Sequence, residues 1–135
     1  MGFCRLKRGL LRGWVLRLGC CAVGEFQKCC DYNFLAIGSF DWVNFFKHAD
    51  CVVTNTFHGT IFSVLMGKRF CVLPLRQKSN KVGCLLKDLT LTGQMASGSR
   101  TITSLLNEDV DYTEPRKRLE SMREESRRFL EEALV

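Results

Sequence analysis

Ala49-Asp50-Cys51-Val52-Val53-Thr54-Asn55-Thr56-Phe57-His58-Gly59-Thr60-Ile61-Phe62-Ser63-Val64-Leu65-Met66-Gly67-Lys68-Arg69-Phe70-Cys71-Val72-Leu73-Pro74 is the stretch whose reading decides the fold. Cys51-Val52-Val53 is short, apolar and uninterrupted, the pattern of a parallel strand covered on both faces. A polar turn bearing His58 follows. Gly59 to Met66 is apolar on nearly all sides and predicts a buried helix, with Gly67 placed to end it. Phe70 to Leu73 predicts the next strand, stopped by Pro74. Strand, helix and strand in this order predict a right-handed parallel crossover. In such sheets ligands bind at the carboxyl ends of the strands, which is where His58 falls.

Working outward, Tyr32 to Ile37 reads as a short apolar segment ended by Gly38. Ser39 or Asp41 is placed to cap a helix whose apolar positions Trp42, Phe45, Phe46 and Ala49 follow helical spacing. Beyond Pro74, Arg76 to Asn80 is a polar, basic loop. Ser79 or Asn80 then caps a helix with Val82, Leu85, Leu86 and Leu89 on one face. Ser97 to Arg100 predicts a turn, and Ile102 to Leu106 is an apolar piece of undecided type. Thr113 to Leu134 predicts a helix with Pro115 in its first turn and Leu119, Met122, Ser126, Phe129 and Ala133 along one stripe. Pairs such as Glu124–Arg128 would lace its polar face. The expected class is therefore α/β: a Rossmann-like parallel sheet flanked by helices, with a long C-terminal helix. The organisation reads as an unassigned basic, Cys-rich segment at 1–30, a Rossmann-like half-domain at 31–110 and the C-terminal helix at 111–135.

Charge and cysteine set the first segment apart. The 135 residues carry a net +6, but residues 1–30 hold six Lys or Arg against Glu25 alone, a local +5. The basic balance therefore says little about the partner of the rest. Five of the eight cysteines also lie in residues 1–30. Their spacing is not that of a zinc site and no histidine lies nearby, so no metal is expected. Cys51, Cys71 and Cys84 are expected to behave as small buried hydrophobes of a reducing compartment. No run approaches the roughly 18 apolar residues of a membrane span. Arg12 and Arg17 interrupt what would be a signal-peptide core. The expectation is a soluble, cytoplasmic chain with no cofactor and no nucleic-acid partner.

The candidate site is Thr54 to Thr60. The helix that begins here turns its unbonded N–H groups and positive dipole end toward the crevice. Gly59 leaves the backbone open to an anion. His58 supplies a proton or a charged hydrogen bond near neutral pH. Thr56 and Thr60 add hydroxyls, and Arg76, Lys78 and Lys81 follow the next strand at its carboxyl end. Together with Phe57 they form a candidate phosphate or carboxylate site. The residues alone leave a second account open, in which His58 is a buried histidine, the threonines are caps and the basic cluster is a solvated loop. His48 reads as a surface residue near a helix C-terminus, and Trp14 and Trp42 as packing residues. No P-loop or dinucleotide glycine fingerprint is present.

At these residues the chain resembles the polysaccharide pyruvyl transferase family, across about residues 34–134. The family's strand ends in Thr-Asp-Ser-Phe-His-Gly or a near variant; here it reads Thr54-Asn55-Thr56-Phe57-His58-Gly59. Thr60-Ile61-Phe62-Ser63, Gly67-Lys68-Arg69-Phe70, the Trp42 helix before Ala49-Asp50 and the pattern Lys81 to Leu91 extend the likeness. The resemblance implies the C-terminal half of a GT-B fold, with two Rossmann-like domains around a cleft. It implies transfer of a pyruvyl group from phosphoenolpyruvate to a saccharide hydroxyl as a ketal, in exopolysaccharide biosynthesis. It further implies that His58 contacts the donor's phosphate or carboxylate and acts as general acid. Asn55 stands where the family usually has Asp, and Thr56 where it has Ser or Arg. Lys81 stands where the family usually has Arg, which forgoes a bidentate grip. A two-domain enzyme needs an N-terminal domain that residues 1–30 are too short to form, so the expectation is a truncated product, weakly active or inactive by itself. Two rivals stay open: a GT-B glycosyltransferase fragment using a nucleotide-sugar, and a non-catalytic basic binding module acting through residues 1–30.

Overall fold

A computed structural model describes residues 38–74 and 79–134 together with strands at 2–6, 17–21 and 32–33; side chains are described for 38–74 and 81–134. The elements run β1 (Gly2–Leu6), β2 (Arg17–Cys21), β3 (Tyr32–Asn33), α1 (Ser39–His48), β4 (Ala49–Thr54), α2 (Phe57–Leu65), β5 (Arg69–Val72), α3 (Ser79–Asp88), α4 (Ile102–Asn107) and α5 (Thr113–Ala133), with a 3-10 turn at Thr92–Gln94. They form an α/β unit around one sheet of order β3-β2-β1-β4-β5.

The expected crossover is present. β4 and β5 are parallel, with Cys51 opposite Arg69 and Thr54 opposite Val72, and α2 joins them. The ladder continues past the strand end, where the Leu73 N–H donates to the Thr54 carbonyl at 2.8 Å. On its other side β4 pairs antiparallel with β1, which pairs antiparallel with β2, so the sheet is mixed rather than parallel throughout. β2 and β3 are parallel again, with Gly19 opposite Tyr32 and Cys20 opposite Asn33.

Helix boundaries differ from the sequence expectation in instructive ways. Gly38, not Ser39 or Asp41, is the N-cap of α1, with no side-chain bond to the first turn. Ala49 closes that helix and opens β4, its apolar spacing serving both. Ser79 already lies inside α3. Ile102 to Asn107 is helical because Thr101 caps it, accepting from the Ser104 N–H at 3.2 Å. Ser97 and Arg100 exchange two backbone hydrogen bonds, forming the expected turn. Glu124 pairs with Arg127, and Glu120 with Arg123, both at i,i+3 rather than the expected i,i+4.

Two helices end in the same way. After α2, the Gly67 N–H donates to Val64 O and the Lys68 N–H to Ser63 O, with Gly67 at φ 60°. This Schellman closure satisfies the last carbonyls and demands a left-handed residue, for which glycine carries no Cβ penalty. After α3, Thr90 N–H to Lys87 O and Leu91 N–H to Leu86 O repeat the pattern, but a β-branched residue, Thr90, occupies the left-handed position at φ 58°.

The core gathers Phe46, Val52, Val64, Phe70, Val72, Val82, Leu86, Leu89 and Leu91, with Trp42, Phe62 and Leu119 packed at its margin. Trp42 meets Phe62 edge to face with centroids 5.1 Å apart, in keeping with its reading as a packing residue. Cys51 and Cys71 are buried as expected; Cys84 is exposed, since it lies on α3 away from the face formed by Val82, Leu85 and Leu86.

Lys68 joins three helices. Its N–H closes α2, its ammonium donates to Lys47 O at the end of α1 at 2.8 Å, and its carbonyl accepts the Tyr112 hydroxyl just before α5. The start of α5 is held further by buried Pro115 and by Arg118, which donates to Asp88 O at the end of α3. From Glu120 onward every described residue of α5 is exposed, including Phe129 at 69% and Leu134 at 86%. Among the described residues, no helix is long and apolar enough to cross a membrane.

Candidate functional site

β4 carries the chain to the carboxyl edge of the sheet and releases it at Asn55. Thr54, the last strand residue, is fully buried, and its Oγ1 accepts from the Thr56 N–H and lies 3.2 Å from Thr56 Oγ1. That contact folds the chain back into α2. Thr56 is the N-cap: extended at φ −115°, it accepts the Gly59 N–H at 3.0 Å, as a threonine cap should. Its carbonyl receives both the Thr60 N–H and the Thr60 hydroxyl. One turn on, the Ser63 hydroxyl donates to Gly59 O at 2.7 Å.

This closed set of bonds sorts the predicted residues. His58 is exposed, on the first turn of α2, and is not walled into the interior. The Phe57 ring, 40% exposed, stands perpendicular to the imidazole at a centroid distance of 6.0 Å. With Gly59 capped and Thr60 bonded to Thr56 O, the N–H groups of Phe57 and His58 are those that the helix start leaves without an intrahelical acceptor. They share the first turn with the imidazole.

Thr60 is different. It is 0% exposed and its hydroxyl is spent on Thr56 O, so it braces the turn rather than lining the crevice. Thr56 likewise uses its oxygen as a cap. Gly59 is buried, and a Cβ there would lie 2.1 Å from Thr54 Oγ1 and 2.9 Å from Thr56 Oγ1. The glycine is required by contact with β4 on the inside, not by an approaching anion on the outside. Lys81 is exposed on the first turn of α3. Arg76 and Lys78 lie outside the described residues.

Two further residues belong to this network, Thr54 from within the candidate stretch and Ser63 from beyond it. Thr54 and Ser63 are buried hydroxyls inside apolar runs, each with a partner on the turn. Their signal was available: Ser63 sits four residues after Gly59, where a helical hydroxyl reaches back to a carbonyl. Among the described residues, no three His, Cys, Asp or Glu side chains gather as a metal site would need. Burial pushes the Cys71 thiol up, away from the thiolate form that a nucleophile requires.

No curated protein and no solved structure matches the chain. Residues 15–75 match the model of the family described as Polysaccharide pyruvyl transferase, a transferase family. The match spans β2 to β5 with the His58 turn inside it, starts earlier than the expected residue 34, and stops before α3. Across residues 15–75, the segment that builds this turn, the chain is therefore similar to the polysaccharide pyruvyl transferase family.

Proposed function

We propose that this turn holds the anionic donor of a pyruvyl transfer, with phosphoenolpyruvate as donor and a saccharide hydroxyl as acceptor. The observation that carries the reading is the exposed His58 on the first turn of α2, inside the family-matched segment and beside two helix-terminal amides. Phosphoenolpyruvate carries a phosphate and a carboxylate, and both suit a helix N-terminus and an imidazolium. Ketal formation adds a proton to the terminal enol carbon and one sugar hydroxyl to its neighbour. A second hydroxyl then displaces phosphate, and the two hydroxyl protons account for the one gained by carbon and the one released. On this reading His58 gives the first proton or neutralises the departing phosphate. Lys81, exposed on the first turn of α3, adds positive charge, and Arg76 and Lys78, close to it in sequence, belong to the same reading. The remainder of the reading is a GT-B-like cleft with its donor side built on this turn.

Titrating the chain with phosphoenolpyruvate, followed by calorimetry or phosphorus NMR, tests this. His58→Asn should weaken binding about tenfold or more, the range for losing a charged hydrogen bond, with the melting temperature unchanged because the ring is exposed. Affinity for a UDP-sugar without affinity for phosphoenolpyruvate would assign the turn to a nucleotide-sugar transferase instead. Binding unaffected by His58→Asn would remove the imidazole from the site.

A further inference from the structure

The amino edge of the sheet, opposite the His58 turn, gathers positive charge. β4 and β5 begin there, directly after His48 at the end of α1 and Lys68 beyond α2. The Lys68 ammonium donates to Lys47 O at 2.8 Å, which sets the two lysines side by side. Arg116, on the first turn of α5, reaches the same corner. Its guanidinium lies 3.4 Å from where a Cβ on Gly67 would stand, and its charge bears on the Tyr112 phenol, which is bonded to Lys68 O. Lys47 and Arg116 are exposed, Lys68 is half-buried, and among the described residues none of the three makes an ion pair. The acids near Arg116 in sequence are engaged elsewhere: Glu114 with Lys117 at 2.7 Å, Glu120 with Arg123 at 3.2 Å, and Asp111 with the Thr113 N–H at 2.8 Å. Asp50, half-buried on β4, tempers the corner without matching three cations.

Helix ends account for part of this charge. Lys47, His48 and Lys68 lie at the C-terminal ends of α1 and α2, where cations are favoured. Arg116 has no such reason, because at the start of α5 it opposes that helix's dipole. Leu65, on the last turn of α2 and two residues before Gly67, is 45% exposed. An apolar side chain among unpaired cations is the chemistry of an interfacial contact. We propose that this corner docks on an anionic lipid surface, with Lys47, Lys68 and Arg116 on the headgroups and Leu65 at the headgroup–acyl boundary. The described residues of the corner present no exposed aromatic ring on which bases could stack, which sets a lipid surface ahead of a single-stranded nucleic acid. The His58 turn lies about 16 Å away along β4, five steps of roughly 3.3 Å, so docking leaves it turned from the lipid. The inference is independent of what His58 binds.

Co-sedimentation of the whole chain with phosphatidylcholine vesicles, with and without phosphatidylglycerol and at low and high salt, tests it. The expected result is binding to the phosphatidylglycerol vesicles alone, weakening as salt rises. Lys47→Gln and Arg116→Gln should each lower the partition coefficient about fivefold, the worth of one cation near an anionic surface. Leu65→Ser should lower it at unchanged charge. Residues 1–30 are basic too, so the control is Arg123→Gln with Arg128→Gln, which removes the same charge from the distal part of α5 and should leave most of the binding intact. Footprinting with a lysine-acylating reagent should find Lys47 protected by the vesicles and Lys81, on the first turn of α3, as reactive as in solution. Circular dichroism checks that each variant keeps its fold. No binding at low salt, equal loss in the Lys47–Arg116 and control double variants, or protection of Lys81 instead of Lys47 overturns the proposal. So does duplex DNA bound with the same dependence on Lys47 and Arg116 while vesicles are not.

Discussion

Replacing Gly59 with alanine should destabilise the fold more than any exposed change in the same turn. The new Cβ would lie 2.1 Å from Thr54 Oγ1 and 2.9 Å from both Thr54 Cβ and Thr56 Oγ1. Ordinary carbon contacts begin near roughly 3.5 Å, so the overlap with the hydroxyl exceeds about 1 Å. Thr54 is fully buried on β4 and has no open space to rotate into without surrendering its bonds to Thr56. Overpacking of this kind costs about 1–3 kcal/mol, and each lost hydrogen bond about 1 kcal/mol more. The expected sum is about 3 kcal/mol, a fall in melting temperature of roughly 10 °C for a domain of this size. Urea and thermal unfolding followed by circular dichroism read both quantities. Thr54→Ala removes the nearest atom, so the double variant should recover at least about 1 kcal/mol relative to additivity. A Gly59→Ala chain within about 0.5 kcal/mol of the parent would refute the packing argument and return the glycine to the service of a ligand.

Three further outcomes follow from the same geometry. Burial pushes the Tyr112 phenol above its ordinary value of 10.0, so the stability it confers is complete below pH 10 and is lost as pH rises through the folded value; Tyr112→Phe should flatten that alkaline loss while costing about 1 kcal/mol at neutral pH, read by urea midpoints across the alkaline range. Thr90→Gly should stabilise the chain by roughly 0.5–1 kcal/mol, the left-handed penalty of a β-branched residue less the added freedom of glycine in the unfolded state; a fall in melting temperature would count against the reading. Asp111 accepts the Thr113 N–H at 2.8 Å, and that bond holds its carboxyl below the usual range. Its contribution is present above about pH 4 and lost as pH falls through the folded value, so Asp111→Asn should show a shallower acid limb in the same assay.

How much of this was legible in the sequence depends on whether the cause was local. β4, α2 and β5 could be read from Val52, Val53, the apolar run to Met66 and Gly67, because periodicity and the Schellman glycine act over a few residues. The antiparallel attachment of β1 could not, since strand direction is set by connections rather than by any residue of β4. At the site, the position of His58 after the strand was legible, but its exposure was not, since the residues alone left a buried histidine open. The inward roles of Thr60 and Gly59 did not, because they depend on Thr54 across the turn. Cap choice was the least legible: Gly38 serves α1 through backbone conformation alone, with Ser39 and Asp41 standing by as better-looking candidates.

The three bonds made by Lys68 have a mechanical meaning. Its amide, ammonium and carbonyl tie the ends of α2 and α1 and the entry to α5 into a single knot. Two of those ties are main-chain groups: only proline at residue 68 would remove the amide tie, and no substitution there removes the carbonyl. The chain just before α5 and the rear of the helix that presents His58 thus share one residue as their fastening, separate from the tie of Arg118 to α3.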